Sequence, residues 1–365
     1  MKRVNHLFDY LISDENLGNA IDEVNATHRW RPRHRPDKTV QRVEADRAGS
    51  IEALRAIIVT GFEPSPARKK RRWDKSAGKW RDIYEPKLWP DQYVHHALVQ
   101  ALQRSMMRGM DPYCCGSIRG RGIHYGVRAM KKWHRDDPKG TRWCAQLDIR
   151  HFYDSLKPEV VMARLRQLVK DHRVLDLAER VMRDGVMIGA YFSQWFANTT
   201  LQPLDHALRE RGPEVTHYLR YMDNFTLYAR SKRQLDRAIK LIEGRLGEHG
   251  LTIKGDWQKF RTADRMPTAL GYRFGRGYTY LRKRNLLRMT RQLHSLRRKL
   301  ARGTRIPVSL AFGLLSRLGQ LKHCSSVHLY RRLVRKGTQK MMKQVVREYM
   351  RKERRRWNIS LAQTA

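Results

Sequence analysis

No apolar run among the 365 residues reaches the length needed to span a bilayer, and the N-terminus MKRVNHLFDY lacks the apolar core of a secretory signal. There are only four cysteines, Cys114, Cys115, Cys144 and Cys324, and their spacing matches neither a zinc-ligand pattern nor a disulfide framework. These absences lead to an expected cytoplasmic, reducing setting with no membrane partner. Acid is scarce as well: 35 Asp+Glu stand against 76 Lys+Arg, a formal net charge of +41. No fold needs that excess, and self-repulsion opposes compaction. A polyanionic partner accounts for it. A membrane surface is the rival, but cations spread through a chain that is 41% hydrophobic suit nucleic acid lying along an extended track.

Internal repeats and Gly/Ser linkers are also missing. What is there alternates in period. The first 60 or so residues are helical in pattern, interrupted by RWRPRHRP from Arg29 to Pro36, and RKKRRWDKSAGKW reads as a charged hairpin around Ser76-Ala77-Gly78. A helix follows IYEP, with Val94, Ala97, Leu98, Ala101 and Leu102 on one face. From residue 142 short strands and helices interleave. RWCAQLDI is a strand, PEVVMARLRQLV a helix with Pro158 suited to its first turn, and SQWFANTTLQPLDHAL a helix. HYLRYMDNFTLYAR is a strand-turn-strand hairpin, RQLDRAIKLIEGRLGEHG a helix stopped by Gly250, and LTIKG and ALGYRF are short strands. This pattern predicts an α+β fold, an antiparallel sheet with helices on one face. From Arg282 to Arg305 the chain is helical and carries ten Lys/Arg with no acid.

Two strand-associated carboxylates stand out. Asp148 ends the strand QLD, and Asp223 sits at a hairpin tip 75 positions later. Each alone is explained by an Asp that caps its own turn. Neighbouring strands of one sheet could instead place them side by side, where they repel unless a divalent cation lies between. Mg²⁺ suits such a site, with hard oxygen ligands completed by water and substrate phosphates.

LDIRHFYDSL and YMDN resemble the motif A and YxDD box of the reverse transcriptases, and the resemblance extends over about residues 80–335. It implies a right-hand polymerase, with an N-terminal helical extension at 1–66, fingers at 67–141, palm at 142–281, helical thumb at 282–335 and a basic C-terminal tail at 336–365. It assigns catalysis to Asp148, Asp223 and Asn224. Two Mg²⁺, for which Mn²⁺ could substitute, would be held by Asp148, Asp223 and the carbonyl of Ile149. Tyr153 matches the family's steric gate against a ribose 2′-hydroxyl; the bland reading makes Phe152 and Tyr153 core aromatics. SIRGRGIHYGV is similar to the fingers motif that grips the triphosphate, with Arg119 as its cation and Lys87 and Arg81 as others. GYRF resembles the primer grip, at Gly271 and Tyr272. Lys254 or Lys259 falls where the family places a lysine that protonates pyrophosphate. The thumb cations Arg282, Lys283, Arg284, Arg297, Arg298 and Lys299 would hold the template–primer duplex, their alternative being a solvated basic face.

Ile188-Gly189-x-x-x-Ser193-Gln194 stands where most of the family has QGxxxSP, and is similar to the reverse transcriptases of diversity-generating retroelements. Gly189 would let the backbone approach the nucleotide, with Gln194 nearby. The resemblance implies error-prone cDNA synthesis from a structured RNA, dNTPs as substrates, an RNA/DNA duplex, a small basic accessory protein and a bacterial or phage source. A phage-defence reverse transcriptase with a dedicated noncoding RNA is the alternative. Asn224 departs from the second Asp of the box. It fits an active natural enzyme, a laboratory Asp→Asn change, a divergent defence branch, or a silent RNA-binding relic.

Overall fold

The computed structural model describes residues 2–28, 37–74, 78–210 and 214–362; the basic segment 29–36 lies outside them. Four helices open the chain: α1 (Phe8–Leu11), α2 (Asp14–His28), α3 (Lys38–Ala45) and α4 (Arg47–Gly61). Asp37 caps α3 by accepting from the Thr39 N–H. The charged hairpin is an antiparallel ribbon, β1 (Arg68–Asp74) with β2 (Lys79–Glu85), in which Trp73 opposes Trp80. Helices α5 (Tyr93–Arg108) and α6 (Ile123–Asp136) lead into β3 (Trp143–Asp148). After it come α7 (Phe152–Ser155), α8 (Pro158–Leu168), α9 (His172–Val181), α10 (Tyr191–Thr200) and α11 (Gln202–Glu210). The single helix expected over SQWFANTTLQPLDHAL is therefore two; Pro203 has no N–H to continue α10 but suits the first turn of α11.

The hairpin β4 (His217–Tyr221) and β5 (Asn224–Ala229) is followed by α12 (Lys232–Gly247), opened by a Ser231/Gln234 capping box. Its apolar residues Leu235, Ala238, Ile239, Ile242 and Leu246 are buried at helical spacing. With β6 (Gln258–Arg261) these strands form an antiparallel sheet in the order β4-β5-β3-β6. LTIKG contributes only an isolated bridge, Ile149 to Ile253, instead of a full strand.

The pleat sorts the sheet's residues by parity. Ala145, Leu147, Tyr218, Phe225 and Leu227 enter a large core shared with α5, α8, α10 and α12. Cys144, Leu219 and Tyr228 face the other way, into a second core with α6 and the C-terminal elements. Asp148 and Asn224, opposite each other in the register, share the parity of Cys144 and Tyr228. They open on the face away from the main helical layer.

A small sheet, β7 (Thr268–Ala269), β8 (Tyr272–Phe274) and β9 (Thr279–Leu281), precedes α13 (Lys283–Ala301), α14 (Val308–Leu321), α15 (Val327–Leu333) and α16 (Thr338–Ala362). The segment expected as a basic tail is thus a long helix, with Met342 fully buried in the second core. Its apolar residues at 341, 342, 345 and 346 recur at helical spacing and pack inward, which is why it folds back. Sheet, helical layer and basic helical domain together make a right-hand polymerase fold.

Candidate active site

Strand β3 delivers Asp148 at its C-terminal end, and β4–β5 turn through a two-residue loop, Met222-Asp223. Met222 takes φ +58, a left-handed value at a position where hairpins favour glycine. The Ile149 N–H donates to the Asp223 carbonyl (3.1 Å), and the Lys254 N–H to the Asp148 carbonyl (2.8 Å). Three segments remote in sequence are stitched by backbone around two carboxylates. Burial, and then the charge of Asp223, push the Asp148 carboxyl up to about 6, while Lys254 pulls it down. Asn224 donates its side-chain amide to Asp223 Oδ1 (2.9 Å). The residue that departs from the family's box therefore holds Asp223 where a second carboxylate would repel it.

Asp148 and Asn224 line a cavity of about 650 Å³ together with Gln146, Tyr221, Gly271 and the α13 side chains Arg284, Asn285 and Arg288. Lys254 lines it too and is paired with Asp256, which raises its pKa. Lys259, the other lysine open on sequence grounds, is paired with Asp236 of α12. Of the two, Lys254 is the one that lines the cavity. Gln146, two residues before Asp148 and of the same parity, bridges to β7: Nε2 donates to the Thr268 carbonyl (2.9 Å) and Oε1 accepts from its N–H (3.3 Å). Sequence reasoning passed over Gln146, although a polar side chain at the sheet's centre was the signal.

The other expected site residues divide. Tyr153 is half-buried, packs against the main core and lies outside the cavity lining, and its hydroxyl is held above the ordinary tyrosine value by burial and then by the charge of Asp223; Phe152 is core. Gly271 lines the cavity, and its carbonyl accepts from the Arg282 N–H (2.9 Å). Tyr272 does not line it. The ring is 1% exposed and the hydroxyl donates to the Gln320 carbonyl of α14 (3.0 Å), because β8 alternates and residue 272 points into the second core. At Gly189, with φ +117, a Cβ would lie 2.3 Å from the Tyr84 carbonyl, and the Tyr84 N–H donates to the Ile188 carbonyl (2.8 Å). The close approach there is to the ribbon's own backbone. Arg119, Lys87 and Gln194 are exposed and lie outside the cavity lining. Arg81 is paired within the ribbon to Asp74 (2.8 Å).

Of the α13 cations, Arg282 and Arg284 line the cavity together with Arg288, which the sequence reading did not single out. Lys283 faces a separate groove with Tyr280 and Leu286. Arg297 donates to the Leu333 carbonyl (2.9 Å), a tie between helices, while Arg298 is exposed and Lys299 half-exposed.

Among the described residues no group of three or more His, Cys, Asp or Glu converges. Two half-buried carboxylates, with the charge of Asp223 acting on Asp148, still fit Mg²⁺, which takes one or two carboxylates and completes its shell with water and phosphate oxygens. The protein YkfC of Escherichia coli (strain K12) is 25% identical to this chain over 185 residues, 46% of this chain and 48% of that protein. The chain therefore spans about half the length of that relative. Among solved structures, apo telomerase from Candida tropicalis, truncated from its C-terminal domain, superposes with TM-score 0.47 at 13% identity, covering 63% of this chain and 59% of that one. Telomerase from Candida albicans with the TWJ fragment of telomeric RNA gives TM-score 0.47 at 11% identity, over 80% and 64%. A family model, reverse transcriptase (RNA-dependent DNA polymerase), matches residues 68–274. That match runs from the ribbon through both acid-bearing strands to β8 and takes in more than half of the sequence, so the chain belongs to the reverse transcriptase family.

Proposed function

We propose that the protein is an RNA-directed DNA polymerase that makes cDNA from a structured RNA, and that it serves a diversity-generating retroelement. The observation that carries the polymerase reading is the meeting of Asp148 and Asp223 at one sheet edge, joined by the Ile149–Asp223 backbone bond, with Asp148 lining a cavity edged by arginines. In this reading residues 67–141 act as fingers, 142–281 as palm and 282–335 as thumb. Two bound Mg²⁺ would activate the primer 3′-hydroxyl and stabilise the leaving pyrophosphate. Asp148 and Asp223 hold that charge, and Asn224 orients Asp223. Lys254 stays cationic at the cavity wall, placed to give a proton to pyrophosphate. Tyr153, whose hydroxyl feels the charge of Asp223, would exclude a 2′-hydroxyl with its ring. Arg282, Arg284 and Arg288 bind duplex phosphates by charge-assisted hydrogen bonds. The subclass rests on Ile188-Gly189 and Ser193-Gln194. Asn224 keeps the defence-associated reading in play, with the same chemistry and a dedicated noncoding RNA.

The test is Mg²⁺-dependent dNTP incorporation on a primed RNA template. Asp148→Ala and Asp223→Ala are each expected to abolish incorporation and leave RNA binding within about twofold, since phosphate contacts carry affinity. Continued synthesis by Asp223→Ala would remove the site assignment. Comparison of Asn224 with Asn224→Asp measures what the amide contributes.

A further inference from the structure

Strand β4 buries an arginine in the wrong place for a plain core. The parity that sends Tyr218 under the helices sends Arg220 there too, and Arg220 is 0% exposed. A buried guanidinium is costly unless every donor is satisfied. All five N–H groups are. Nε and Nη2 donate to the two oxygens of Asp205 in α11 (2.8 and 2.6 Å), itself fully buried. Nη2 also reaches the Asn198 carbonyl (3.2 Å) and Nη1 its Oδ1 (2.8 Å). The fifth bond runs from Nη1 to the carbonyl of Met222 (3.1 Å), the residue whose left-handed φ makes the catalytic turn. Arg220's own backbone is tied on both sides to the segment before Gly116: its N–H donates to the Tyr113 carbonyl (3.1 Å), and its carbonyl accepts from Cys115 (2.8 Å). Asn198 Nδ2 donates to the Gly116 carbonyl (2.8 Å), and a Cβ at Gly116 would lie 2.8 Å from the Met222 nitrogen.

We infer that Arg220, braced by Asp205 and Asn198, is a positioning residue for Asp223, clasping the Met222-Asp223 turn between its guanidinium and Gly116. The inference rests on the polymerase reading of Asp223. A buried ion pair is a poor device for stability alone, since well-packed apolar side chains serve as well or better. Five donors in one plane, one of them on a strained turn two residues away, are what a pair retained for placement would show. Lysine keeps the charge but has neither the plane nor the two-pronged grip on Asp205.

The test uses the full chain. Arg220→Lys is expected to lower kcat for dNTP incorporation roughly 10- to 100-fold, the usual effect of removing a group that orients a metal ligand. The KM for primer–template should stay within about twofold. Mn²⁺ binding by the protein alone, followed by electron paramagnetic resonance, should weaken by roughly the same factor, a change that loss of core stability would not produce in a folded sample. An Arg220→Lys protein that melts earlier yet binds Mn²⁺ and turns over like wild type overturns the inference. Should that variant not fold, Gly116→Ala keeps Arg220 and its pair with Asp205 and presses on Met222 from the other side of the turn. It should show the same paired loss, and unchanged Mn²⁺ binding and kcat in it overturn the inference equally. Failure of the polymerase reading is separable: wild type would then bind Mn²⁺ through Asp223 but incorporate nothing, and the Mn²⁺ comparison still decides the role of Arg220. Wild type that binds no Mn²⁺ sinks both.

Discussion

Asp148 carries two opposed requirements in one side chain. Burial and Asp223 raise its carboxyl from 3.8 to about 6, so without a divalent ion the folded state binds a proton that the unfolded chain releases earlier. That contribution is fully present below pH 3.8 and is lost as pH rises through about 6. A metal reverses the preference, because proton and cation compete for the same oxygens. Asp148→Asn is accordingly expected to raise the melting temperature of the metal-free protein at pH 7 while abolishing incorporation. Mg²⁺ should stabilise wild type at pH 7 and lose that effect as pH falls below 6. A variant that melts no later than wild type at pH 7 would show that the two acids do not strain the fold. Asp148 and Asp223 were legible in the sequence because each sits in a contiguous motif. Arg220 was not, though its charge stood in plain view in an apolar strand. Its partners lie 15 and 22 positions away, and only the packing of α10 and α11 under β4 brings them together.

At the scale of elements, α5 shows how a core helix sets the protein's acid limit. His95 is 2% exposed, packs edge-on to Phe192, and among the described residues neither ring nitrogen has a hydrogen-bond partner. Burial first, then His96, depress its pKa to about 3. Because the folded pKa lies below the unfolded 6.5, the stability it supports is present above pH 6.5 and is lost as pH falls towards 3. His134, depressed to about 4, acts in the same direction. His95→Leu removes the unsatisfied ring at similar volume, and the gain expected at pH 7 is on the order of 1 kcal/mol. At pH 5 the difference should widen by about 2 kcal/mol, one and a half pH units of avoided protonation. Thermal melts at the two pH values check it; an equal difference at both would mean that His95 titrates normally. Most long elements were legible from hydrophobic period alone, α12 most clearly. The break between α10 and α11 was missed because apolar period continues across it, and the packing of α16 because its basic side chains outweigh the apolar stripe they flank.

At the scale of the whole molecule the charge is not one field but several. The ribbon's cations are partly spent on Asp74, Asp82 and Glu85, and Arg297 on a carbonyl. The arginines that edge the cavity at Asp148 are Arg282, Arg284 and Arg288, at the start of α13. About 15 residues on, roughly 22 Å along the helix axis, Arg298 and Lys299 stand beyond the cavity lining. On the proposed polymerase reading, a duplex held at the acids would release counterions first at 282 and 284. For each phosphate neutralised, the slope of log affinity against log salt steepens by about 0.9. Arg282→Ala with Arg284→Ala should make the slope for an RNA/DNA primer–template shallower by roughly two and weaken binding at low salt most. Arg297→Ala should leave the slope unchanged and lower the melting temperature, because it breaks the tie to Leu333. If the slope instead falls with Arg297→Ala and not with the pair, the duplex lies along the far end of α13 and away from the cavity.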